Sequence, residues 1–286
     1  MSTFKEIKKR ISAVKSTRKT TSAMKMVSSS KLNKAESVMH AMSSYAKEIR
    51  RIQNSLLTND YSGPLSLERP VQHVAILAFS SDSSLCGAYN SNISHVLQKT
   101  IYKYKKSLDA SHIHVYTIGK KVHEFSKKSK ITVAKNFENL AGKTDYPTIA
   151  DLATLLIEKF EHKQLDRVEL IYHHFKSAGA QELVTKLLLP IKLSVQEKQP
   201  VDYIVEPSRE ALFKSLIPMN IQLQLYTALL NANASEHAAR MIAMQTATDN
   251  ADDLVSELTI EYNKSRQQAI TNELLDIVGG SVKNQQ

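Results

Sequence analysis

From residue 4 to about residue 57 the chain contains neither proline nor glycine, and apolar or small residues recur there at helical spacing: Phe4, Ile7, Ile11 and Val14, then Leu32, Ala35, Met39, Met42, Ile49, Ile52 and Leu56. One helix of this length spans ~80 Å at ~1.5 Å per residue, well beyond the usual three or four turns. A lone helix so long needs a partner. The other end of the chain supplies one. After an interruption expected at Pro218, a second run continues without a breaker to Val278 and is expected to stop at Gly279 and Gly280. Within it Ala234, His237, Met241, Met244, Thr248, Ala251, Val255, Leu258, Tyr262, Ser265 and Ala269 are separated alternately by three and four residues. A seam of period ~3.5 imposes a left-handed supercoil. The expectation is therefore an antiparallel two-helix left-handed coiled coil of the N- and C-terminal helices.

The segment between the helices has a different grammar. Gly63, Pro64 and Pro70 close the first helix, and short β-branched runs then alternate with helical patterns. Strands are expected over 71–79, 113–118, 131–133, 168–175 and 183–193, with helices over 87–107, 120–127 and 147–160, the last opening on Pro147. Alternation of this kind implies a mostly parallel α/β layer, here Rossmann-like, and the short turn 177–180 joins its last two strands into an antiparallel edge hairpin. The expected organisation is α/β with a long helical coiled coil. An N-terminal coiled-coil helix covers 1–57, a central α/β domain 71–200 and a C-terminal coiled-coil helix 208–286, with Ser208 as the cap.

Charge is distributed as unevenly as structure. The chain carries a net +10, and residues 1–51 alone hold 13 Lys and Arg against three Glu, whereas residues 208–286 hold six basic against nine acidic residues. The opposite signs favour pairing of the two helices, and the basic first helix seeks an acidic partner. A nucleic-acid-binding coiled coil is the alternative reading. Against it, the basic stretch has a single aromatic, Phe4, and no recognition module surrounds it.

Candidate chemistry is sparse. Gly142, Lys143 and Thr144 resemble the end of a phosphate loop, but Phe137 stands where that loop requires its first glycine. His112 with His114 and His173 with His174 form close pairs without carboxylates or thiols to complete a metal shell, and they are expected to be half-exposed strand residues. Cys86, the single cysteine, can form no internal disulfide, fits a reducing compartment and is expected to be a small buried residue. No catalytic constellation, cofactor or metal site is expected. No apolar run reaches the ~18 residues of a spanning helix, so membrane association is expected to be peripheral, without direct insertion.

At both ends the residues themselves resemble the γ subunit family of F-type ATP synthases. The N-terminal segment KEIKKRISAVKSTRKTTSAMKMVSSSKL, 5–32, is similar to that family's opening helix. The stronger match is SEHAARMIAMQTATDNADDL, 235–254, followed by YNKSRQQAITNELLDIVGGS, 262–281. Two departures are Ser83 and Ser84 before Leu85, Cys86 and Gly87, where the family usually has a basic residue and glycine, and Ser281, where it usually has Ala.

The resemblance implies a non-catalytic rotor shaft of a proton-translocating complex, coupling ion flow mechanically to ATP synthesis or hydrolysis in other subunits. The implied partners are the alpha and beta subunits of the catalytic head, the epsilon subunit and the membrane c-ring. Implied too are a bacterial origin, without a transit peptide, and a place at the cytoplasmic face of the inner membrane. Met24 matches the family position near an acidic loop of the catalytic subunit, and Arg240, Arg266, Gln267 and Thr271 match positions implicated in torque transfer and a catch contact. Lys8, Lys9, Arg18 and Lys25 are added as coupling residues on charge alone.

Overall fold

The computed structural model describes residues 4–56, 63–138, 140–191, 205–206 and 208–283. Parts of the expected boundary regions, 57–62, 192–204 and 207, lie outside the described residues. The chain divides into two compact units, residues 1–28 with 241–286, and residues 29–240. Two long helices bracket the sequence, α1 at Phe4–Leu56 and α6 at Arg209–Lys283.

In the first unit, the opening segment of α1 pairs with residues 241 onward of α6. The Thr21 and Thr248 hydroxyls are 2.8 Å apart, and Arg18 forms an ion pair with Asp252. Stepping down α1 thus means stepping up α6, which makes the pair antiparallel. The seam follows the expected period: Ile7, Thr21 and Ser28 are buried on α1, and Met244, Ala251 and Leu258 on α6. The expected seam positions between them, Met241, Thr248, Val255, Tyr262, Ser265 and Ala269, are half-buried. Small hydroxyl side chains hold the middle of the seam by satisfying themselves locally: Thr248 donates to the Met244 carbonyl and Ser28 to that of Met24.

The second unit is built on a five-stranded sheet of order β3-β2-β1-β4-β5. The strands are β1 (Val74–Phe79), β2 (Ile113–Ile118), β3 (Val133–Phe137), β4 (Arg167–Ser177) and β5 (Ala180–Leu189). β1 runs parallel to both β2 and β4, β2 parallel to β3, and β5 returns antiparallel to β4 as the edge hairpin. The intervening helices are α2 (Tyr89–Lys105), α3 (Lys120–Lys128), α4 (Leu140–Lys143) and α5 (Tyr146–Glu161).

Alternation along β1 sorts the core into two layers. Ala75, Leu77 and Phe79 face a cluster with Ile149, Leu156 and Phe160 of α5 and Ile217, Ile221 and Leu225 of α6. Val74, Ile76 and Ala78 face Ile93, Leu97 and Ile101 of α2 and Val122 of α3. All six β1 residues are buried, as a central strand covered on both faces requires.

Several expectations are corrected. Pro218 does not interrupt the second helix but lies inside α6. An interior proline costs ~3 kcal/mol, and here buried Phe213, Leu216, Ile217 and Ile221 flank it, each worth ~1.5–3 kcal/mol. Tertiary burial outweighs local propensity. Gly279 and Gly280 do not stop the helix, which continues to Lys283, since glycine permits a left-handed exit without demanding one. β3 begins at Val133 instead of residue 131, and β5 occupies Ala180–Leu189, starting before the expected 183 and ending before 190–191, while 192–193 of the expected strand lie outside the described residues. His112 is in a 3-10 turn, and His173 is buried and stacked on Tyr89 with ring centroids 4.4 Å apart.

Candidate functional site

The first unit carries most of the residues expected to matter. Lys8, Lys9, Arg18, Arg266, Gln267 and Thr271 are exposed, and Met24 and Lys25 are half-buried. Thr21 faces Thr248, so Phe4, seventeen residues earlier, falls level with residue 265. Arg266, Gln267 and Thr271 therefore lie past the level of Phe4, the first described residue of α1. Thr271 is held locally, donating to the Gln267 carbonyl over 2.9 Å. The same segments expose large apolar side chains: Met26 and Val27 on α1, and Ile260, Ile270, Leu274 and Leu275 on α6. Exposed apolar groups beside exposed cations are the composition of a contact surface.

Arg240 is set differently. It belongs to the second unit and is only 8% exposed. Its guanidinium donates to Glu236, one helical turn earlier on α6, at 2.6 Å, and forks onto the loop after β1, reaching Ser83 Oγ at 2.8 Å and the carbonyls of Ser83 and Ser84 at 3.3 and 3.4 Å. Burial pushes the Glu236 carboxyl up from its ordinary pKa, and Arg240 opposes the shift. Ser83 and Ser84 are thus the loop's acceptors for this guanidinium. The loop is fixed further by Asn90, which donates to Ser81 Oγ at 2.8 Å and to Cys86 Sγ at 3.1 Å. Burial raises the Cys86 thiol pKa, leaving it a poor nucleophile. Leu85 takes a positive φ of 69° and is exposed at the tip of this loop.

The structure thus separates the expected residues into a peripheral set on α1 and late α6, and one buried residue, Arg240. The sequence reading missed Glu236, although its i,i+4 spacing to Arg240 was the available signal. His237, expected only as a seam position, is buried, and burial holds its pKa down at about 4, as it does for His173.

Among the described residues no group of His, Cys, Asp and Glu is arranged to hold a metal ion. Gly142 and Lys143 lie in the short helix α4, with Thr144 following at φ 49°, not in a loop cradling phosphate. No helix among the described residues is long and apolar enough to cross a membrane.

A family model described as ATP synthase matches residues 3–282. The ATP synthase gamma chain of Bacteroides fragilis is 50% identical, with 99% of this chain and 100% of the relative covered. That of Bacteroides thetaiotaomicron is 46% identical with the same coverage. The chain belongs to the ATP synthase gamma chain family. Solved relatives share the fold at lower identity. The rotor of the Euglena gracilis mitochondrial ATP synthase aligns with a TM-score of 0.66 at 17% identity, covering 93% of this chain and 98% of that one. The central stalk of the Tetrahymena thermophila mitochondrial ATP synthase aligns at 0.59 and 24%, covering 79% and 98%. Gamma chain membership accounts for the long helices near both ends of the sequence.

Proposed function

We propose that this chain is the central rotor shaft of an F-type ATP synthase, a non-catalytic subunit that couples ion flow to ATP synthesis or hydrolysis in its partners. The observation that carries the proposal is full-length identity of 50% to a relative named ATP synthase gamma chain. The paired helices are the part that turns inside the alpha and beta subunits. The complex is attached through epsilon and the c-ring to the cytoplasmic face of a bacterial inner membrane.

Coupling of this kind is allostery with an orientation as the effector. Each angle of the shaft offers different side chains to three chemically equal partners, and the difference in contact free energy biases their nucleotide affinities. Cations at Lys8, Lys9, Arg18 and Lys25, beside Met24, face an acidic partner loop. Exposed ion pairs contribute only ~0–1 kcal/mol each, so they bias an angle without locking it. Arg18 illustrates the scale, since it stays half-exposed while paired with Asp252.

Arg266, Gln267 and Thr271 form the catch, exposed on α6 past the level of Phe4. A guanidinium fork and an amide supply directional bonds of ~1–3 kcal/mol, enough to register an angle and weak enough to release under torque. Complexes assembled with Arg266→Ala and Gln267→Ala together are expected to assemble and hydrolyse ATP while pumping fewer protons per ATP. Normal pumping by fully assembled variant complexes would sink the catch.

A further inference from the structure

Residues 228–238 of α6 are buried around the whole circumference of the helix, although the stretch includes Asn231, Asn233, Ser235, Glu236 and His237. Polar groups in such a place need partners, and Asn231, Asn233 and Ser235 find theirs in main-chain atoms of two elements of the α/β domain, β4 and α4. Asn231 Oδ1 accepts from the Phe175 amide of β4 at 3.1 Å, its orientation fixed by Nδ2 donating to the Thr227 carbonyl at 2.8 Å. Ser235 Oγ donates to the His173 carbonyl, also on β4, at 3.1 Å. Asn233 Nδ2 donates to the Ala141 carbonyl of α4 at 2.8 Å. In the reverse direction, the Tyr89 hydroxyl of α2 donates to the Ala232 carbonyl at 2.9 Å.

The angular placement of these bonds gives them a joint consequence. At ~100° per residue, Asn231 and Ser235 project within ~40° of each other, while Asn233 projects on nearly the opposite side of the helix. Rotation of α6 about its own axis relative to the sheet would strain bonds on both sides at once. Apolar packing resists separation but is non-directional, and the alanines here, Ala228, Ala232, Ala234 and Ala238, offer short levers against sliding. Directional bonds to main chain cannot be relieved by a rotamer change in the partner.

We infer that Asn231, Asn233, Ser235 and Tyr89 form a torsional clamp, positioning residues that make the α/β domain and α6 turn as one body. The inference rests on the rotor reading for its purpose, whereas the clamp itself is testable without rotation. Two measurements on the assembled complex address it, each comparing the parent with Asn231→Ala/Ser235→Ala. In hydrogen exchange, the segment containing Phe175 is expected to exchange about tenfold faster in the variant, because its amide loses its acceptor. In single-complex rotation, a probe is attached through a cysteine introduced at exposed Lys127 on α3, native Cys86 being buried. The angular variance at each pause is expected to about double, because removing two of four independent parallel restraints halves the stiffness.

Unchanged exchange at Phe175, or faster exchange with unchanged variance, would overturn the clamp. A parent complex in which the probe does not rotate at all would instead refute the rotor reading. Should the double variant fail to assemble, Ser235→Ala alone is read in the same way, with the variance expected to rise by about a third.

Discussion

Removing the Arg240 guanidinium should be among the most damaging single changes available in the second unit. Arg240 and Glu236 are both buried, at 8% and 6% exposure, so Arg240→Ala leaves a carboxylate without its cation in a site that solvent does not reach. Stranding one member of a buried pair costs ~3–5 kcal/mol. Against a total stability of ~5–15 kcal/mol this is about a fifth or more, and at ~2–4 °C per kcal/mol it lowers Tm by roughly 6–20 °C. The pH dependence carries a sign. Burial already raises the Glu236 pKa, and without Arg240, which opposes the shift, it rises further. A raised carboxyl pKa disfavours the folded state as pH climbs from the unfolded value to the folded one, so the cost of Arg240→Ala is largest at pH 8 and shrinks towards pH 5.

Glu236→Leu with Arg240→Met together removes both charges and restores apolar volume. The double variant should recover to within ~2 kcal/mol of the parent, the remainder reflecting the lost bonds to Ser83 and Ser84. Urea unfolding of the purified chain, followed by circular dichroism at both pH values, measures all three. A loss below ~1 kcal/mol for Arg240→Ala, or a cost that grows on acidification, would refute the reasoning.

Acidification of the parent chain tests the buried imidazoles. His173 and His237 are held neutral by burial with pKa values about 4, against ~6.5 when unfolded, so the unfolded state binds more protons between those limits and stability falls as pH drops through them. The loss is ~2 kcal/mol per imidazole at pH 5, and His173→Phe should flatten its share of the slope in urea titrations. Gly119→Ala should destabilise by at least ~2 kcal/mol, because φ is +92° and the added Cβ would lie 2.2 Å from the Ser80 carbonyl oxygen. A thermal shift below a few degrees at that position would contradict the geometry.

The parts of this molecule that were readable in its residues are those with long-range periodicity. A three-four alternation sustained from Ala234 to Ala269 has one physical explanation, and every residue in that seam is buried or half-buried. The parallel sheet was readable for the same reason, since continuous apolar runs such as 74–79 make sense only when covered on both faces. What escaped was decided by partners distant in sequence. Pro218 reads as a breaker until the burial of Leu216, Ile217 and Ile221 around it is known. His173 reads as a half-exposed strand residue until Tyr89, from another element, stacks on it. Arg240 was singled out through a motif, and nothing in that motif reveals that the guanidinium is buried against the loop at Ser83 and Ser84.

The two stretches of α6 on either side of residue 240 solve opposite problems. Before it, eleven consecutive residues from Ala228 to Ala238 are buried, so the segment is defined by its own chain. After it, burial contracts to one stripe, and that stripe includes Thr248, Ala251 and Ser265 on α6 and Thr21 and Ser28 on α1, residues that bury little apolar area. A seam of leucines and isoleucines would make a two-helix pair more stable, and a shaft that must meet several partners does not gain from that alone. Small seam residues let the helices approach closely and keep the pair thin, while Met26, Ile260, Leu274 and Leu275 remain on the outside. The apolar area that such a pair lacks within itself is then available to the subunits around it. On the rotor proposal, its stability and its contacts would be the same free energy, so a change of contact at any angle would be felt directly by both the shaft and its surroundings.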